Sequence, residues 1–162
     1  MKKTEFYTFF WKDKDCFSNW HPSKIEYGGI TFNCSEQLYM YRKAIFFNDV
    51  EIAHEIVATK SPREQKALGR KVKNFDATSW NEVAKDIMYE VNKLKYEQNE
   101  KLMDQLLQTD DTEIVEASPY DKIWGIGMDE NHPNVEDKTK WEGTNWLGEV
   151  LTSLREDIKD GI

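Results

Sequence analysis

Apolar residues recur along this chain at two periods. The runs at residues 6–10 and 25–32 are short and aromatic or β-branched, which predicts strands. The second run turns back at Gly28-Gly29, a pair that accepts the positive φ of a two-residue hairpin turn. From residue 35 the spacing becomes helical. Residues 35–47 predict a helix with Ser35 as N-cap, and a shorter one is expected at about 49–58. Ser61-Pro62-Arg63-Glu64 is a capping box with proline at the first helical position. Ser79 and Glu82 repeat the box and predict a long helix to about 97, with Val83, Ile87, Val91 and Leu94 at helical spacing. Another helix is expected at about 99–108.

Beyond Asp110-Asp111 the pattern changes. Residues 112–117 predict a strand, and a stretch rich in Gly, Pro and Asp runs to about 144. A last helix, 145–158, carries Leu147, Val150, Leu151, Leu154 and Ile158 on one side, with Asn145 as its natural N-cap. Five or six helices with a few short strands predict a mainly α-helical fold with a small β component. No linker, repeat or low-complexity segment interrupts it, so a single domain over 1–162 is expected.

Composition narrows the class. A chain of 162 residues, 39% hydrophobic, can bury a core and is too apolar for disorder. Six Trp, seven Tyr and eight Phe exceed what that core requires; most are expected in the core, and the remainder can stack on a base or sugar. No apolar run approaches the roughly 20 residues of a membrane span, and MKKTEFYTFF lacks the apolar region and cleavage site of a signal peptide. With only Cys16 and Cys34, a disulfide framework is not expected and a reducing, cytoplasmic setting is. His21, His54 and His132 have no metal-ligand spacing, so neither a metal nor a cofactor is expected.

A net charge of −8 argues against broad nucleic-acid binding, which rests on many phosphate contacts. The charge is uneven, however. Lys60, Arg63, Lys66, Arg70, Lys71 and Lys73 face only Glu64, a local excess of +5. This reads either as an anion anchor or as a solvated helix face, and composition leaves both open.

Three regions carry candidate chemistry. Glu36, Met40, Lys43 and Phe47 share one helix face. Glu36 and Lys43 lie roughly 10 Å apart along the axis at about 1.5 Å per residue, too far for an ion pair; they either meet two ends of a ligand or reach solvent past an apolar stripe, and the residues alone favour the second. EASPYDKIWGIG, residues 116–127, sets Asp121 three residues before Trp124, with Gly125 and Gly127 removing bulk beside them. An Asp-containing turn before a core tryptophan has the same pattern. In the third region, 141–148, Trp141 either lines a pocket or plugs a surface. No nucleophile elbow, dinucleotide fingerprint or Walker loop is present.

These residues, in this order, resemble the NADAR or YbiA-like family. The resemblance runs almost end to end: Ser18-Asn19-Trp20, Gly29 to Phe32, Ser35-Glu36-Gln37 with Lys43-Ala44, Leu68-Gly69-Arg70, Trp80, Gln98-Asn99 with Leu102 and Leu106, EASPYDKIWGIG, and Trp141, Gly143, Asn145, Leu147 and Gly148. It implies a mostly helical fold and an enzyme that hydrolyses the ribose C1–N bond of an N-glycoside. In some members the substrate is a phosphoribosylamino-pyrimidine of riboflavin biosynthesis; in others it is ADP-ribosylated guanine. It further implies Glu36 and Asp121 as catalytic carboxylates, and Trp80, Trp124, Lys43 and Arg70 as substrate-binding residues. The expected partner is thus a small phosphoribosyl or ADP-ribosyl glycoside, with nucleic acid entering only as a modified substrate and no membrane. An ADP-ribosyl hydrolase and a non-catalytic nucleotide-binding module are the competing classes.

Overall fold

A computed structural model describes residues 1–162. In chain order the elements are β1 (Lys2–Lys3), β2 (Tyr7–Phe10), β3 (Ile25–Tyr27), β4 (Ile30–Phe32), α1 (Ser35–Phe46), α2 (Val50–Ala58), α3 (Pro62–Gly69), α4 (Ala77–Glu97), α5 (Glu100–Leu107), β5 (Glu113–Glu116) and α6 (Trp146–Lys159), with a 3-10 turn at Lys138–Lys140. The mainly helical expectation holds. The chain gathers into two units, residues 19–100 and residues 1–18 with 101–162.

In the unit of residues 19–100, β3 and β4 form the expected hairpin, with Ile25 opposite Phe32. Gly28 and Gly29 take φ of +58° and +80°, the conformation a tight turn requires. α1 is the central helix. Its first six residues are all buried, and it packs against α2, α3 and α4. Against α3 the approach is so close that a Cβ on Gly69 would overlap Met40 Sδ. Gln37 ties this end of α1 in place: its Nε2 donates to Ile56, Val57 and Thr59 carbonyls at 3.0–3.2 Å, and its Oε1 accepts the Asn33 N–H.

Two caps differ from the sequence expectation. Cys34, not Ser35, occupies the N-cap of α1 and makes no side-chain cap bond; Ser35 is already helical. α4 opens two residues before Ser79. The Asp76 carboxylate accepts the Ser79 N–H at 3.1 Å, and a charged acceptor holds an orphan donor better than a hydroxyl. The capping box at α3 is as expected, with Ser61 accepting from the Glu64 N–H and Pro62 in the first turn. Asp49 caps α2 and also accepts the Lys73 N–H at 2.9 Å.

In the other unit, β1 runs antiparallel to β2, and β2 runs parallel to β5 with Tyr7 opposite Glu113 and Phe10 opposite Glu116. α6 packs on β5. Phe9, Val115, Ala117, Ile126, Met128 and Val135 form a buried cluster against which Tyr7 and Trp141 pack. The Trp141 indole donates to the Val135 carbonyl at 2.7 Å, so this tryptophan plugs a surface. Arg155 is buried, and its guanidinium donates to the Thr112 carbonyl, Thr109 Oγ1 and Glu156, so its charge does not go unsatisfied. Cys16 and Cys34 are both buried, and neither forms a disulfide.

Candidate active site

α1 begins where the Glu36 N–H donates to the Asn19 carbonyl at 3.0 Å, which joins the Ser18-Asn19-Trp20 segment to the helix start at the Asn19 backbone. From there Glu36, Tyr39 and Lys43 follow at offsets of three and four, a spacing that stacks side chains on one face. Glu36 is 6% exposed. Tyr39 is buried, and its ring centre lies 5.5 Å from that of Trp80. Burial, with the Glu36 charge behind it, pushes the Tyr39 phenol far above its ordinary range. Burial likewise pushes the Cys34 thiol up to about 11.

Lys43 is half-buried, and desolvation lowers its pKa. The Glu36 charge opposes that shift and the Arg70 charge adds to it. Glu36, Lys43 and Arg70 are thus within electrostatic reach of one another, with no direct ion pair required. The Lys43 ammonium sits 4.7 Å from the centre of the Phe75 ring. Phe75 in turn packs on Phe47 at 5.4 Å, and both Phe46 and Phe47 pack on Trp80 at 5.8 and 6.1 Å. Four of the six residues implied by the resemblance (Glu36, Lys43, Arg70 and Trp80) therefore fall on one constellation, built by α1, the end of α3 and the start of α4.

The structure adds Tyr39 and Phe75, which sequence reasoning missed. Tyr39 lies between Glu36 and Lys43 and reads in sequence as a core aromatic. Phe75 lies two residues beyond the basic stretch, and only its adjacency to those cations could have pointed to it. Of that stretch, all but Lys66 have exposed side chains, and none of the six is ion-paired to a carboxylate.

The EASPYDKIWGIG loop belongs to the other unit. Its turn is built by side-chain oxygens: Ser118 Oγ accepts the N–H groups of Tyr120 and Asp121, and Asp121 Oδ1 accepts those of Ile123 and Trp124 at 2.9 and 2.8 Å. Asp121 Oδ2 makes no such bond, and the residue is partly exposed. Trp124 is half-buried with its ring edge-on to Trp146 at 5.6 Å. Gly125 is obligatory, since a Cβ there would lie 2.9 Å from the carbonyls of both Asp121 and Glu116. Gly143 lies against the Gly125 carbonyl in the same way.

Asn145 occupies the N-cap of α6, but its side chain makes no cap bond. It instead bridges the strand, accepting from the Glu116 N–H at 3.0 Å and donating to the Ile114 carbonyl at 3.1 Å. Its φ of +54° is a left-handed conformation that asparagine tolerates better than most residues. The expected cap is therefore a brace for the strand that leads into the loop. No group of His, Cys, Asp and Glu side chains is arranged to hold a metal ion, and no helix is long and apolar enough to cross a membrane.

The sequence profile described as the NADAR domain matches residues 6–159. N-glycosidase R617 of Acanthamoeba polyphaga mimivirus is 42% identical, over 87% of this chain and 86% of its own. Protein irg-1 of Caenorhabditis elegans is 37% identical, over 96% of this chain and 81% of its own. The chloroplastic riboflavin biosynthesis protein PYRR of Zea mays is 31% identical over 91% of this chain, which spans 24% of that longer protein. Among solved structures, the NMR structure of the Escherichia coli protein YbiA superposes with a TM-score of 0.79 at 27% identity, covering 99% of this chain and 89% of that one.

Proposed function

The chain belongs to the NADAR domain family, with a named N-glycosidase among its relatives, and on that premise we propose that it is an enzyme hydrolysing the ribose C1–N bond of phosphoribosylamino-pyrimidines. The observation that carries this reading is the convergence of a buried carboxylate, two cations and a cluster of rings in one unit. Such a set fits a glycoside with a charged phosphate at one end and a flat base at the other.

Breaking the C1–N bond develops positive charge at the anomeric carbon. Glu36 or Asp121 stabilises that charge and takes a proton from the attacking water, while the departing nitrogen leaves with the bonding electrons and is protonated. A fixed carboxylate in a desolvated site is worth far more to such a transition state than one in water. Lys43 and Arg70 hold the phosphate, and the ring cluster around Trp80, or else Trp124, takes the heterocycle. The riboflavin-pathway substrate is favoured by kinship to the maize protein. The absence of a disulfide between the buried Cys16 and Cys34 fits a reducing, cytoplasmic setting.

The unpaired cations between Lys60 and Lys73 favour one second reading, removal of ADP-ribose from guanine, because that substrate carries an additional phosphate. Incubation with a phosphoribosylamino-pyrimidine and, separately, with ADP-ribosylated DNA decides between them. Release of base from the first alone is the expected result. Release from the second alone transfers the assignment to the alternative, and release from neither overturns both.

A further inference from the structure

Within the aromatic cluster of residues 19–100 the rings are not equivalent. Trp80 is 7% exposed, with Tyr39, Phe46 and Phe47 against it. A ring so enclosed offers little face to a ligand. Phe75 is 47% exposed although it precedes α4 and has a packing partner in Phe47. Leaving that much phenyl surface in water forgoes hydrophobic stabilisation, and burying Phe75 under a bound apolar face would recover it.

The position of Phe75 is held by its neighbours. Asn74 takes a left-handed φ of +60°, and Asp76 locks the first turn of α4 through the Ser79 N–H. The Asp49 carboxylate accepts the Lys73 N–H on the other side. The ring is therefore presented by a tethered segment, not by a free loop tip. Lys43, standing 4.7 Å from the ring centre, places the charge expected to meet phosphate beside a surface suited to a base.

We propose that Phe75 is the base-stacking and specificity-determining residue of the site, taking the flat heterocycle of a phosphorylated riboside while Lys43 and Arg70 take its phosphate. Trp80 then forms the wall behind Phe75 and Phe47 and keeps them in place. The inference rests on the N-glycosidase reading for the identity of the riboside, but the stacking is a binding property measurable without turnover.

The test compares calorimetric affinities of the wild-type protein and Phe75→Leu for ribose 5-phosphate and for uridine 5′-monophosphate, which differ by a base. Stacking of one base on an aromatic side chain predicts that wild type prefers the nucleotide by about tenfold. Phe75→Leu is expected to lose that preference while binding ribose 5-phosphate as before, and Phe75→Trp to keep it. Equal affinity of wild type for the two ligands, binding of neither, or an undiminished preference in Phe75→Leu overturns the inference. A wild-type preference abolished in Phe75→Leu, in a protein that hydrolyses no glycoside, would sustain the subsite and reject the activity. The reverse pattern, hydrolysis with no preference, would sustain the activity and reject the subsite.

Discussion

Asp121 Oδ1 accepts the backbone N–H of Trp124 at 2.8 Å, so the carboxylate and the indole implied for the site are two ends of one turn. The same oxygen holds the Ile123 N–H. One carboxylate oxygen thus shapes the loop, so a substitution of Asp121 acts on the turn as well as on the proposed catalytic role.

An Asp121→Asn protein keeps an oxygen at the Oδ1 position and can keep the turn. Its melting temperature should stay close to that of wild type. Loss of acid–base or electrostatic function should lower kcat by about a hundredfold or more. Asp121→Ala should lose both stability and activity. Steady-state kinetics beside thermal melts separates the two, and an Asn variant at the wild-type rate would remove Asp121 from the mechanism.

Glu36→Gln removes the charge that holds the Lys43 pKa up against burial and Arg70. Its Lys43 pKa should therefore fall further below the ordinary lysine value, as followed by NMR titration of the labelled lysine side chain. Turnover should drop by about a hundredfold if Glu36 is the stabilising carboxylate. An unmoved Lys43 titration would show that the two side chains do not sense each other.

Asp49 carries a pH-dependent share of the stability. Hydrogen bonds from the Lys73 and Ile52 N–H groups hold its carboxyl below the ordinary value of 3.8. A depressed folded-state pKa means that the unfolded chain binds the proton first. The stabilisation is then complete above 3.8 and is lost as pH falls through the folded-state pKa. Asp49→Asn should be less stable than wild type at pH 7, with a smaller drop in melting temperature between pH 7 and pH 3. Parallel drops in the two proteins would assign the acid sensitivity elsewhere.

Asn145→Ala deletes both bridges to the strand, leaving the Glu116 N–H and the Ile114 carbonyl without their partner. A buried group left unsatisfied costs about 1–3 kcal/mol, and the part-buried Glu116 N–H toward the low end of that range, so a loss of about 2–4 kcal/mol is expected in urea denaturation. Asn145→Ser, a good helix cap, should not restore it. Full recovery by serine would return Asn145 to the role of an ordinary cap.

Gly69→Ala places a methyl group where Met40 Sδ now lies, between α3 and α1. The helix end that carries Arg70 should shift, raising KM for a phosphorylated substrate by a few fold and lowering stability. Because the clash is with a flexible side-chain end, Met40→Ala in the same protein should recover much of the loss. Strictly additive effects would mean that the two residues do not compete for the same space.

Local patterns were sufficient for most elements. The hairpin at Gly28-Gly29, the capping box at Ser61-Pro62 and the heptad-like apolar spacing of α4 and α6 all express interactions that span a few residues, and they appear where the periodicity predicts them. The discrepancies arise where two local signals compete. Asp76 and Ser79 are both good caps three residues apart, and the charged acceptor starts the helix. Helical spacing put Glu36 and Lys43 on one face, but nothing in the sequence says that α1 and α3 approach closely enough for Arg70 to sense Lys43.

The sequence by itself determined the helical class, the turn chemistry of the Asp121 loop and the list of residues worth testing, because these depend on short-range propensity and on residue identity. Tertiary packing decided what each of them does. It buried Trp80 and exposed Phe75, turned Asn145 from a cap into a strand brace, and set Lys43 over a ring between an acid and another cation. Those outcomes depend on contacts between segments tens of residues apart, where burial and charge act through space and no local pattern records them.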